Sequence, residues 1–356
     1  MSTAPATQVD TDKDYLMRTR MLIALLCGLL FAVPAALADD PFRDDHPERY
    51  TVQRGDTLWD ISERFLESPW LWPEIWHVNP EIENPHLIYP GDVIHLVFVD
   101  GEPRLTVDRG QRTVRLSPEV REEELEPAIS TIPMEAIRPF LNRSRVVDEE
   151  TLEDAAYIVA GEDERVMATR GDNVYVRNLP DDQTESFMIV RKGDPYVDPD
   201  TDRVLGFEAT YLGDARVTRH GDPGTAQVAS SNREIRAGDR LLEAPAGPIR
   251  TTFQPRAPED DVRGVIMDVM DGVTQIGQFD VVVVNRGTEH GMEDGHVLAV
   301  YKAGREVRDD VAGETVTLPE ERAGEMIIFE VFDELSFGLV MRATRAMNTM
   351  DIVRNP

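Results

Sequence analysis

Tyr50-Thr51-Val52-Gln53-Arg54-Gly55-Asp56-Thr57-Leu58-Trp59-Asp60-Ile61 opens, and Leu87-Ile88-Tyr89-Pro90-Gly91-Asp92-Val93-Ile94 closes, the stretch that decides how this chain begins to fold. Two short apolar strands bracket a helical segment, and each strand meets a bend whose residues have a definite job. Gly55 permits positive φ, and Asp56 or Thr57 can cap a helix starting at Leu58. Pro90 fixes one dihedral of the second bend and Gly91 relaxes the next.

The spacing, the two bends and Asn79 at the end of the second helical segment resemble a LysM module. The resemblance implies a small βααβ domain that grips N-acetylglucosamine-containing glycans such as peptidoglycan. It further implies a shallow cleft that works by shape and main-chain hydrogen bonds rather than by charge. Gly55, Asp56, Thr57 and Leu58 would form one wall, and Asn84, Leu87, Ile88 and Tyr89 the other. The alternative for Leu58, Ile61 and Ile88 is that their side chains are core and only backbone meets sugar. Four tryptophans lie in this module, in and around Trp70-Leu71-Trp72-Pro73-Glu74-Ile75-Trp76. Trp59 and Trp76 are expected in the core, and Trp70 or Trp72 as an exposed contact.

Upstream, Met21–Ala36 is a short apolar run behind Arg18 and Arg20, and Ala36-Leu37-Ala38 follows it. This is the pattern of a secretory signal peptide over 1–38, cut after Ala38, and points to the periplasm. The run is short for a membrane span and Pro34 interrupts it, an uncleaved anchor being the alternative reading. Asp10, Asp12 and Asp14 suit an n-region badly, so Met17 is the better start than Met1. Cys27, the only cysteine, sits in the apolar run behind Leu25 and Leu26, where a lipoprotein box needs small residues. Beyond the leader there is no disulfide, thiolate ligand or thiol nucleophile to expect.

The formal charge is −30, with lysine only at 13, 192 and 302. Nucleic acid and anionic lipid are therefore disfavoured as partners, since phosphate binding needs clustered Lys and Arg. An acidic surface of this kind also fits a salt-loving source. Folding midpoints that fall with added salt would oppose that idea.

The expected organisation is a LysM domain at 48–99, a linker at 100–131 in which the alternation of Leu105 and Val107, then Val114 and Leu116, allows a hairpin, a helical lead-in with a first β module at 132–245, and a second β module at 259–356. The fold class is α+β: a small βααβ domain, then a mainly-β region of two related small modules. The helical lead-in is read from Ile132, Ile137, Phe140 and Leu141, limited by Pro139, and from Glu149–Ala156. Strand-like runs include 174–176, 187–190, 281–284 and 297–301. An internal repeat aligns Ala226–Leu241 without gaps on Gly338–Val353, matching Val228 with Val340, Ile235 with Met347 and Asp239 with Asp351. The Pro- and Gly-rich segment Ala244–Pro258 reads as the link between the modules.

Catalytic signals are weak. His290-Gly-Met-Glu-Asp294 fits an H-x-x-x-D zinc pattern without its H-x-H partner, and no G-x-S-x-G elbow occurs. Acid pairs carry no weight in so acidic a chain. No catalytic residue, metal or cofactor is expected.

Over its full length the chain resembles the secretin-associated LysM proteins of type IV pili. The resemblance is carried by Leu66–Asn79 with its Pro69-Trp70-Leu71-Trp72-Pro73-Glu74 core, Asn84–Asp92, Leu318–Glu325, Ser336–Met341 and Asp351–Pro356. The C-terminal region is also similar to part of a flagellar assembly protein. These resemblances imply a peptidoglycan-binding adaptor whose β-rich region contacts an outer-membrane secretin, with copies arranged on a ring to gain by multivalency. The rivals are a general cell-wall-binding envelope protein without a pilus role and, less favoured, a peptidoglycan hydrolase.

Overall fold

The computed structural model describes residues 41–76, 87–100, 102–108, 128–141, 144–180, 184–243, 252–270 and 275–356. The leader read at 1–38 lies outside them, as do Asn79 and Asn84. Among the described residues no helix is long and apolar enough to cross a membrane.

The first structural unit starts with β1 (Arg49–Thr51), α1 (Leu58–Phe65), a 3-10 turn at Pro69–Leu71 and α2 (Trp72–Ile75), and returns in β2 (Val93–Val99). This is the expected βααβ order. β3 (Glu102–Asp108) then pairs antiparallel with β2, setting Leu96 opposite Leu105 and Ile94 opposite Val107. The expected linker is therefore not all connector. The alternation of Leu105 and Val107 is that of a strand with one buried face, and both side chains complete the module's core.

α1 is buried on more than one side. Leu58, Ile61 and Phe65, three and four residues apart, face the core of the small module with Ile88, Ile94 and Trp72. Trp59 instead joins a second cluster with Ile132, Ile137, Phe253 and Phe337. The helix thus seats the module on the β-rich region, helped by a longer-range pair between Arg342 Nε and Glu63 Oε1 at 3.9 Å. Phe253 lies in the stretch read as the link between the modules, yet its buried ring is part of this shared core.

The lead-in has the expected helices, α3 (Met134–Leu141) and α4 (Glu149–Asp154), separated by β4 (Ser144–Val147). Pro139 sits inside α3, two residues before its end, and Ile137 and Phe140 are its buried positions. Asp148 caps α4 by accepting from the Thr151 N–H at 2.6 Å.

Two six-membered rings of strands follow, and their topology is the same. In the first, β5 (Ala156–Gly161), β6 (Asn173–Arg177), β9 (Gly224–Ser231), β8 (Val204–Arg219), β7 (Ser186–Val197) and β10 (Arg240–Glu243) pair in that order, β10 pairing again with β5. β4 pairs antiparallel with the 207–210 stretch of β8. In the second ring, β11 (Arg263–Val269), β12 (Val281–Val284), β17 (Ser336–Ala343), β16 (Glu321–Val331), β13 (Val297–Lys302) and β18 (Ile352–Arg354) close a barrel. A hairpin of β14 (Glu306–Asp309) and β15 (Glu314–Thr317) is inserted between β13 and β16.

The gap-free alignment of 226–241 on 338–353 lays β9 on β17 and β10 on β18. Ile235 bridges Ala168 as Met347 bridges Ile276. Asp239 accepts from Arg191 Nε at 2.7 Å and from the Arg236 N–H at 2.8 Å. Asp351 accepts from Lys302 Nζ at 2.9 Å and from the Asn348 N–H at 2.8 Å. Arg191 and Lys302 occupy corresponding strands, β7 and β13. Sequence identity between the rings is low because most positions need only be apolar on one face, whereas each turn needs a carboxylate acceptor at the Asp position.

One buried acid sits where the small module meets the second barrel. Glu325 lines a cavity of about 320 Å³ with Glu67, Ser68, Arg322 and Arg342. Its Oε1 accepts from Arg322 Nη2 at 2.7 Å, and its buried Oε2 has no partner. Burial pushes the Glu325 carboxyl up, against the opposing pull of Arg322 and Arg342. A folded-state pKa above the unfolded value means that the folded chain holds this proton to higher pH. The stabilisation is complete below the ordinary Glu pKa of about 4.3 and is lost as pH rises through the raised value. Glu325→Gln is expected to remove this dependence. Urea midpoints of wild type and variant, measured in steps upward from about pH 4, should diverge in the variant's favour as pH increases.

Candidate functional site

The two bends of the small module are tied to each other through one residue. The Val52 N–H donates to the Asp92 carbonyl at 2.9 Å, and the Gly91 N–H donates to the Val52 carbonyl at 2.8 Å. Each bend is also closed by its own aspartate. Asp56 Oδ2 accepts from the Gln53 N–H and the Tyr50 hydroxyl, both at 2.8 Å, and Asp92 Oδ2 accepts from the Tyr89 N–H at 3.0 Å. Gly55 and Gly91 both have φ of 94°, with open space where a Cβ would stand. Dihedral angle, not crowding, demands glycine there. The same closure recurs where Asp172 accepts from the Thr169 N–H and where Asp280 accepts from the Gly277 N–H, so the chain uses one bend design throughout.

Thr57, not Asp56, caps α1. Its Oγ1 accepts from the Asp60 N–H at 3.1 Å while Asp60 Oδ2 accepts from the Thr57 N–H at 3.1 Å, a reciprocal capping box. The Asp56 and Thr57 side chains are therefore committed to shaping the loop. What this wall presents is main chain, in keeping with a cleft that does not rely on charge.

The opposite wall divides by depth. Ile88 is 0% exposed and lies in the core with Leu58 and Ile61, whereas Leu87, at 39%, lies at the surface. Side chains of Leu58, Ile61 and Ile88 are thus core, the alternative weighed from sequence. Trp59 and Trp76 are buried as expected, but Trp72 is only 5% exposed and Trp70 is partly buried against the barrel-side cluster. Neither is the exposed contact expected of them. A module this small reaches a closed core only by using its large rings, and Trp72 and Trp76 meet edge to face at 6.1 Å.

Sequence reasoning missed the residues that run between the walls. Ser130 and Thr131 carbonyls accept from the Leu58 N–H at 2.9 Å and the Trp59 N–H at 3.1 Å. On the other side, the Ile129 N–H donates to the Ile88 carbonyl at 2.8 Å. The first N–H groups of any helix lack an intrahelical acceptor. That α1 must find acceptors for Leu58 and Trp59 was legible in the sequence, but which distant segment supplies them was not. Beside this strap a cleft of about 470 Å³ stays open, lined by Leu58, Trp72, Leu87, Thr131 and Phe253 among others. The buried Trp72 Nε1 has no hydrogen-bond partner.

His290 belongs to a turn, where its Nδ1 accepts from the Gly287 N–H at 3.2 Å. Among the described residues no cluster of three or more His, Cys, Asp or Glu could hold a metal ion.

A family model described as LysM domain matches residues 50–96. An uncharacterized protein, YqbP of Bacillus subtilis (strain 168), is 37% identical over 60 residues. That similarity covers 14% of this chain and 27% of the relative. The chain contains a LysM domain followed by a mainly-β region. A LysM domain is a binding module, not a catalytic one, and its presence supports binding of peptidoglycan or a related glycan.

Proposed function

We propose that this chain is a periplasmic, non-catalytic peptidoglycan-binding adaptor. Its LysM cleft takes an N-acetylglucosamine-containing strand between Gly55–Leu58 on one side and Asn84 with Leu87–Tyr89 on the other. The β-rich remainder engages an outer-membrane secretin of the type IV pilus, and the leader over 1–38 exports the chain and is removed after Ala38. The observation that carries the glycan half is the LysM match over 50–96, together with two glycine bends locked back to back through Val52. Support for the secretin half is the resemblance of Leu66–Asn79, Leu318–Glu325 and Asp351–Pro356 to the secretin-associated proteins.

The mechanical logic is that a retracting pilus loads its secretin, and anchorage to the wall spreads that load. A single module binds modestly, so copies on a ring would add their holds. Affinity purification from solubilised envelopes should recover a secretin with this chain. Recovery without any secretin would leave a wall-binding protein of other purpose, and clearing of a murein gel by the purified chain would replace the adaptor with a hydrolase.

A further inference from the structure

We infer that Ala128–Thr131 is an internal occupant of the LysM cleft, so that glycan and this segment exclude one another. The inference rests on the glycan reading above. Leu58 at the end of the first wall and Trp59 just after it offer two main-chain donors, their N–H groups, and the second wall offers an acceptor, the Ile88 carbonyl. All three are taken by consecutive residues of one segment, at 2.8–3.1 Å.

An acetamido group is chemically a peptide unit, with one N–H and one C=O. A sugar that bonds to both walls therefore asks for the groups that Ile129, Ser130 and Thr131 now use. Without a ligand those groups need the strap, since a buried N–H or C=O left unpaired is costly. Ile129 is partly buried against the module's core, so the strap has a side-chain hold as well. Ile132, fully buried beside Trp59 and Ile137, marks where the strap is anchored to the shared core. Displacement is thus confined to the residues before Ile132, which lead through α3 into the first strand ring. A filled cleft and a bound strap are two states of one site, and murein selects between them.

The test is amide hydrogen exchange on the full chain, with and without a soluble tetramer of N-acetylglucosamine. At saturation the Ile129 amide should exchange at least about tenfold faster, as expected for a group leaving a protected hydrogen bond. Leu58 and Trp59 amides should stay protected, having exchanged one acceptor for another. Ile129→Pro removes the N–H that holds the second wall and should bind the tetramer about fivefold more tightly, the equivalent of one net hydrogen bond. Saturable binding with unchanged exchange at Ile129 overturns the inference and leaves the glycan reading standing. Binding by neither wild type nor Ile129→Pro, tested on tetramer and on washed murein, overturns both. Should the proline variant misfold, exchange on the wild-type chain decides alone.

Discussion

Leu87→Glu is expected to abolish sedimentation with murein while leaving the unfolding midpoint near that of wild type. Leu87 lines the mouth of the open cleft and is more than a third exposed, so a carboxylate there is hydrated and harmless to the fold. Against a ligand the same carboxylate removes apolar contact and must be desolvated. Together these are worth about 1.5–3 kcal/mol, or roughly ten- to a hundredfold in affinity. The adjacent residue separates binding from stability. Ile88→Glu places a charge where exposure is zero, in a core shared with Leu58, Ile61 and Trp72. It should cost about 4 kcal/mol or more and lose murein binding because the module unfolds. Sedimentation and urea unfolding of both variants check the pair: a binding defect with an intact unfolding curve for Leu87→Glu, and a binding defect with a lost transition for Ile88→Glu.

The second large effect concerns the duplicated turn. Asp351 and Asp239 are both buried, and each closes its turn while holding the cation of a neighbouring strand, Lys302 or Arg191. Replacement of either by Ala leaves that cation and a turn N–H without their acceptor. Removing one member of a buried pair is far more damaging than the pair's net worth suggests. Because both cations are partly exposed, water offsets some of the loss, and each variant should fall by about 2–4 kcal/mol. Matched losses in Asp239→Ala and Asp351→Ala, read from urea unfolding, are what a true duplication requires. A large loss in one ring and none in the other would mean that the two turns are not equivalent.

Some of this architecture could be read directly from residues. The glycine bends, the Thr57 cap, the strand runs and the alignment of Asp239 with Asp351 are local signals. Each depends on a few neighbouring residues obeying dihedral, capping or alternation rules. The same rules found α3 and α4, although α3 runs two residues past Pro139. What was illegible depends on contacts between distant parts of the chain. Trp70 and Trp72 look like surface aromatics until the barrel and the small module's own core close over them. The alternation of Leu105 and Val107 hints at a strand, but its partner, the edge of β2, is not written in the segment itself. Phe253 sits among prolines and glycines, yet fills the core beneath Trp59. The strap at Ala128–Thr131 is the extreme case: its own sequence carries no motif, and its role exists only because two walls far upstream lack partners. Asn84, assigned to the second wall from sequence, lies outside the described residues.

Co-sedimentation of the full chain with washed murein, repeated in the presence of excess soluble N-acetylglucosamine tetramer, bears most directly on the central claim. The chain should pellet with the murein, and the tetramer should return it to the supernatant. A chain that stays in solution with murein alone, or that pellets regardless of the tetramer, contradicts a LysM cleft built to hold an acetamido sugar.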